Sequence, residues 1–319
     1  MEYLQLIAGL IVLILGGEAL VKGAVNLALK LKISPLVVGM TIVSFGTSAP
    51  ELLVSLGAAT SGHPDVSIGA VIGSNISNIG LVLGLTVLIF PIAISKDTLK
   101  IDWPLMMFAS LLFILFAKDG ELELYEGVIS VSILVVFTAW LFIKSMKKGK
   151  AALAELDLEV NEEEAEKSNI FKDILFLLLG FTGLYYGADW LINSVVEIAK
   201  DFGISEKLIS VTVVAFGTSL PELVTSCTAA YRKETDISIG NLIGSNVFNI
   251  LAILGITSIV HPIKITNSIN EFDVYYMLGI SLLIFPLMYF GRKVGRLKGV
   301  LLILVYVFYI YLAIVSEKG

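Results

Sequence analysis

The sequence predicts an all-α polytopic membrane protein of ten transmembrane helices, arranged as two inverted five-helix repeats. Composition, the distribution of basic residues and an internal repeat lead to it. Of 319 residues, 56% are hydrophobic and 16% charged, whereas a soluble domain carries about 25% charged residues. Mean hydropathy is +0.90. Breaks at Gly, Pro and charge clusters divide the chain into spans near 3–29, 35–60, 66–92, 102–117, 122–143, 170–199, 206–231, 237–260, 273–291 and 297–315. A hydrocarbon layer roughly 30 Å thick needs about 20 apolar residues per helix, which sets the membrane class.

The first span opens with Met1-Glu2, lacks a basic leader and continues past Glu18 and Lys22 to about Leu29, so it reads as a retained span. Between the fifth and sixth spans, residues 144–169 hold Lys147, Lys148 and an acidic run from Glu155 to Glu166. That stretch is too short to fold alone and reads as a solvated linker or short surface helix. The expected organisation is a first five-helix repeat over 1–143, an acidic cytoplasmic linker over 144–169 and a second, inverted repeat over 170–319. The net charge of −6 gives no reason to expect a nucleic-acid partner, and the single cysteine, Cys227, excludes an intramolecular disulfide.

Loops that follow odd-numbered spans, with their edges, hold sixteen Lys and Arg residues, against five on the opposite side. Positive residues collect on the cytoplasmic side, so the linker is expected inside a cell membrane and both termini outside. Residues 33–86 align with 204–257 at a constant offset of 171, and 27 of 54 positions are identical. Ser44-Phe-Gly-Thr-Ser-Ala-Pro-Glu51 matches Ala215-Phe-Gly-Thr-Ser-Leu-Pro-Glu222, and Gly73-Ser-Asn-Ile-Ser-Asn78 matches Gly244-Ser-Asn-Val-Phe-Asn249. Five spans per half is an odd number, so the second half enters the membrane from the other side. Inverted repeats of this kind point to a secondary transporter with its site at the repeat interface.

The repeated segments carry cation-binding chemistry. Pro50 gives no N–H to the Gly46 carbonyl, and Gly46 loosens the backbone beside it. A broken helix at membrane depth is tolerated where it is buried in protein or lines a polar cavity. Thr47 and Ser48 stand four and three residues before Glu51, within reach of one helical face, and Ser74 and Asn78 repeat the four-residue spacing. Thr218, Ser219, Glu222, Ser245 and Asn249 are their counterparts. Two carboxylates with neutral oxygens, and no sulfur or imidazole, suit hard cations, and Ca²⁺ takes six to eight such ligands. Ser, Thr and Gly often serve helix packing alone, but an ionisable residue in mid-span points to function. Glu18 and its repeat partner Asp189 sit nearer helix ends, where pairing with Lys22 or with water competes with an ion role. His63 and His261 fall in outer-side loops and read as surface residues, and Cys227 as a small packing residue.

These paired motifs resemble the two alpha repeats of the cation/calcium exchanger superfamily, in its prokaryotic sodium/calcium exchanger-like branch. The resemblance is close over both motif regions and looser over the ten-span layout. It implies a central cluster of sites built by spans two, three, seven and eight, with spans two and seven broken and spans one and six sliding across that core. It implies a Ca²⁺ site of Glu51 and Glu222 completed by the carbonyls of Thr47 and Thr218. It also implies Na⁺ sites using Ser44, Thr47, Ser48, Glu51, Ser74, Ala215, Thr218, Ser219, Glu222 and Ser245, with Asn78 and Asn249 bordering the centre. Proton/calcium exchangers of the superfamily show Gly-Asn-x-x-Glu where this chain has Gly-Thr-Ser-x-Pro-Glu, which favours sodium coupling. Members with potassium coupling carry an acid where this chain has Asn249, so exchange is expected to be electrogenic and independent of K⁺. The short acidic loop also lacks the large calcium-sensing domains that some relatives insert there.

The expected function is therefore Na⁺/Ca²⁺ antiport by a monomer in a lipid bilayer, without a cofactor or enzymatic activity. H⁺/Ca²⁺ exchange at the same glutamates is the alternative. A channel could use the same oxygens. An intramembrane hydrolase lacks its base, since no His lies in any span.

Overall fold

The structure, a computed structural model, describes residues 2–156, 170–202, 217–265 and 272–316. Its helices are α1 (Glu2–Leu31), α2 (Pro35–Thr47), α3 (Ala49–Thr60), α4 (Pro64–Ile89), α5 (Thr98–Asp119), α6 (Leu124–Leu156), α7 (Ile170–Asp201), α8 (Leu220–Tyr231), α9 (Thr235–Val260), α10 (Phe272–Tyr289) and α11 (Arg296–Ser316). Among the described residues, eight helices are long and apolar enough to cross a membrane, or nine if α2 and α3 count as one bent span. The first part of the seventh expected span lies outside the described residues, which resume at Gly217. The helix of the fifth span continues to Leu156 rather than ending at 143. The Lys, Ala, Leu and Glu content of residues 147–156 favours that continuation. The rest of the expected linker, 157–169, lies outside the described residues.

The chain forms two compact units, Met1–Thr47 with Val135–Asn241 and Ser48–Leu134 with Leu242–Gly319. In the first unit α1 packs along α7 through glycines seven residues apart. A Cβ at Gly16 would stand 2.7 Å from the Leu184 nitrogen, and one at Gly187 would stand 2.5 Å from the Leu13 nitrogen. The backbones therefore touch, as small residues allow in membrane helices. Leu13, Leu20, Leu177 and Leu184 fill the seam, while Ile7, Ile11, Leu175 and Leu179 stay exposed on the outer faces. Such a face suits lipid.

In the second unit α11 closes on the last turns of α4. Cβ atoms at Gly84 and Gly299 would meet Ile303 and Val87 at 2.7 Å. Two short antiparallel strand pairs join the connections. Strand β1 (Ile92–Ala93) pairs with β4 (Lys293–Val294), and β2 (Glu121–Leu122) with β3 (Ile263–Lys264). At the repeat offset of 171, β1 corresponds to β3, and β2 corresponds to β4 with a shift of one residue. Lys298 closes the end of α10, its Nζ donating to the carbonyls of Leu287, Phe290 and Lys293 at 2.6 to 2.7 Å.

Candidate functional site

Glu51 and Glu222 have the same local setting, each in its own unit. Ser48 (φ −88°, ψ 6°) separates α2 from α3, and Ser219 (φ −86°, ψ 3°) stands in the same conformation at the N-cap of α8. The chain bends by 45° between α2 and α3. Pro50 and Pro221 then stand at the start of α3 and α8, where a missing N–H costs nothing. This places each glutamate in a first helical turn, whose unsatisfied N–H groups and dipole favour a carboxylate. Glu51 is 1% and Glu222 0% exposed.

In the second unit, Ser74 Oγ donates to Glu51 Oε1 at 3.3 Å. Asn249 Nδ2 donates to Asn75 Oδ1 at 3.0 Å, and Asn75 Nδ2 to the Asn246 carbonyl at 3.4 Å. Ser48, Asn78 and Ser245 are buried in the same unit. The oxygens Asn78 Oδ1, Asn246 Oδ1 and Asn249 Oδ1 are buried without a hydrogen bond. Buried polar atoms are normally satisfied, so three such amide oxygens point to a missing polar partner. Asn78 and Asn249 also open π-helical turns, Asn78–Val82 and Asn249–Leu254, which are repeat images of each other. Widened turns of this kind concentrate at functional positions.

In the first unit, Ser44 Oγ donates to the carbonyls of Gly39 at 2.8 Å and Asn241 at 3.0 Å. Thr47 Oγ1 donates to Asn241 Oδ1 at 3.1 Å, and Asn241 Nδ2 to Ser226 Oγ at 3.1 Å. Thr218 is half-buried, and Ser219 Oγ and Thr225 Oγ1 are buried without a hydrogen bond. Ala215 lies outside the described residues. Among the described residues, no three His, Cys, Asp or Glu side chains gather as a metal-binding group.

Glu18, for which the sequence offered Lys22 or water, does not pair with Lys22. Its carboxylate pairs with Arg232 at the end of α8, and Lys22 Nζ lies 4.9 Å from the centre of the Phe176 ring. Spacing along one helix pointed to Lys22; Arg232 arrives from another helix. Asp189 is exposed and accepts from Asn193 Nδ2 at 3.2 Å, while His63 and His261 are exposed and Cys227 is half-buried. Sequence reasoning passed over Asn75, Asn246, Thr225, Ser226 and Asn241. Asn75 and Asn246 were visible as identical residues of the repeat. Asn241 was not, because its repeat partner is Ala70.

Two matching helix starts with a proline and a buried carboxylate in the first turn, together with uncommitted amide oxygens, define a membrane transporter for cations. Comparison with known proteins gives the family. Residues 1–143 and 172–315 match the family model described as sodium/calcium exchanger protein. CaxA of Alkalimonas amylolytica is 38% identical over 312 residues, covering 96% of each chain. The sodium/calcium exchanger MaX1 of Methanosarcina acetivorans is 32% identical over 342 residues, again covering 96% of each. Among solved structures, the sodium-calcium exchanger NCX_Mj superimposes with a TM-score of 0.82 at 31% identity, over 97% of this chain and 98% of that one. The chain belongs to the sodium/calcium exchanger family, in the prokaryotic branch of the cation/calcium exchanger superfamily, and is a multi-pass membrane protein.

Proposed function

We propose that this protein is a secondary antiporter that exchanges Na⁺ for Ca²⁺ by alternating access, with Glu51 and Glu222 sharing one Ca²⁺. The matched burial of the two carboxylates is the observation that carries this reading. Two carboxylates neutralise one divalent ion, and uncompensated charge inside a membrane is expensive. The carbonyls of Thr47 and Thr218 complete the Ca²⁺ site. Na⁺ uses Ser44, Thr47, Ser48, Glu51, Ser74, Ala215, Thr218, Ser219, Glu222 and Ser245, with Asn78 and Asn249 at the border. Exchange is electrogenic and needs no K⁺, and the monomer is the working unit.

The fold that serves this function has ten spans in two inverted repeats, 1–143 and 170–319, with the second and seventh broken in the core. The termini are outside and the linker 144–169 is cytoplasmic. The strand pairs support the alternation, since each joins connections that a ten-span chain puts on one side. The test is Ca²⁺ uptake into vesicles loaded with Na⁺ at equal pH on both sides. The proposal predicts uptake that stops when Na⁺ is also present outside at the same concentration. Uptake that needs a pH gradient and ignores Na⁺ would establish H⁺/Ca²⁺ exchange instead.

A further inference from the structure

Asn241 is 0% exposed and its amide joins two hydroxyls from different helices of the first unit. The direction of each bond matters. Thr47 Oγ1 directs its one proton to Asn241 Oδ1 at 3.1 Å, the shorter of two acceptors, the other being the Ser44 carbonyl at 3.4 Å, so it has only lone pairs to present elsewhere. Ser226 Oγ accepts from Asn241 Nδ2, so Ser226 keeps its proton for donation. Glu222 stands four residues before Ser226 on α8, one helical turn away. The Asn241 carbonyl takes a further bond from Ser44 Oγ. A single amide, with the Ser44 carbonyl as a longer second acceptor, therefore holds Thr47 as an acceptor and leaves Ser226 as a donor, the polarities that a cation and a carboxylate respectively need.

The repeat shows that the fold alone does not require this side chain. Position 70, the repeat image of 241, is alanine, and Ser55, the image of Ser226, bonds instead to Ser67 at 2.7 Å and Thr257 at 3.2 Å. The fixed hydroxyl polarity is a property of the second repeat's helix α9.

We infer that Asn241 is a positioning residue for cation binding, acting through Thr47, and that it makes the two repeats unequal as ligand sets. The inference rests on the proposed exchange function. Its test is Ca²⁺ binding to the purified full-length chain, measured by titration calorimetry alongside thermal unfolding. Asn241→Ala weakens Ca²⁺ binding about tenfold, in the range of one lost buried hydrogen bond. Thr47→Val produces the same loss, and the double variant binds no more weakly than either single one. Binding by Asn241→Ala within twofold of wild type would overturn the inference, as would losses that multiply in the double variant. Should Asn241→Ala fail to fold, Thr47→Val reads the same bond from its other end, and a change below twofold there is equally fatal. A wild-type chain that binds no Ca²⁺ at all would bring down the function proposed above and this inference with it.

Discussion

The two copies of the repeat agree in backbone and differ in bonding. Ser48 and Ser219 have φ and ψ within a few degrees of each other, each followed by a proline and a buried glutamate. Beside those motifs, single positions differ between the copies. The second unit secures Glu51 with Ser74 and links Asn75 to Asn249. The first unit gathers Thr47 and Ser226 on Asn241, for which the other copy has only Ala70. A further difference lies at the helix ends, where Arg232 holds Glu18 while the repeat image of Arg232 is Ser61. The two copies therefore share the glutamates, the prolines and the paired Thr, Ser and Asn residues, and differ at neighbouring positions such as 70 and 241.

The glutamates are where the copies must behave alike. Glu51→Gln and Glu222→Gln are each expected to reduce Ca²⁺ exchange about a thousandfold. Removing one charge at about 4 Å forfeits ~4 kcal/mol at an effective dielectric near 20. Vesicle uptake at low Ca²⁺ checks this, and a large loss in only one of the two variants breaks the equivalence. Ser74 is the next step down. Ser74→Ala loses a hydrogen bond to a carboxylate, and the Na⁺ concentration for half-maximal exchange is expected to rise about tenfold. Kinetics over a Na⁺ series test it; an unchanged Na⁺ requirement would exclude Ser74 from the Na⁺ sites.

Smaller effects sharpen the comparison. Asn78 and Asn249 supply amide oxygens without formal charge, so choline in place of all K⁺ is expected to leave Na⁺-driven Ca²⁺ flux unchanged within about twofold, K⁺ gaining little attraction without a carboxylate. An absolute K⁺ requirement would contradict the role given to Asn249. The smallest effect belongs to Glu18, whose carboxylate is committed to Arg232. Glu18→Gln is expected to retain exchange, whereas abolished exchange would make Glu18 an ion ligand.

Much of this was legible in the sequence because it repeats. The matched Thr-Ser-x-Pro-Glu and Gly-Ser-Asn motifs located the bend between α2 and α3, the start of α8 and the buried carboxylates, since proline chemistry and the cost of membrane charge act locally. What stayed hidden depends on partners far along the chain. Arg232 reaches Glu18 across 214 residues, and Thr47 meets Asn241 across 194. Asn241 also lacked the repeat signature that marked its neighbours. The extension of α6 to Leu156 was hidden for another reason, because a charged, alanine-rich segment satisfies both a surface helix and a linker.

The central claim, that both glutamates hold a single Ca²⁺, is tested most directly by counting Ca²⁺ bound to the purified protein at equilibrium. The wild-type chain is expected to bind one Ca²⁺, and Glu51→Gln and Glu222→Gln are each expected to lose it. Retention of one full-affinity Ca²⁺ by either variant would show that the two carboxylates do not share an ion.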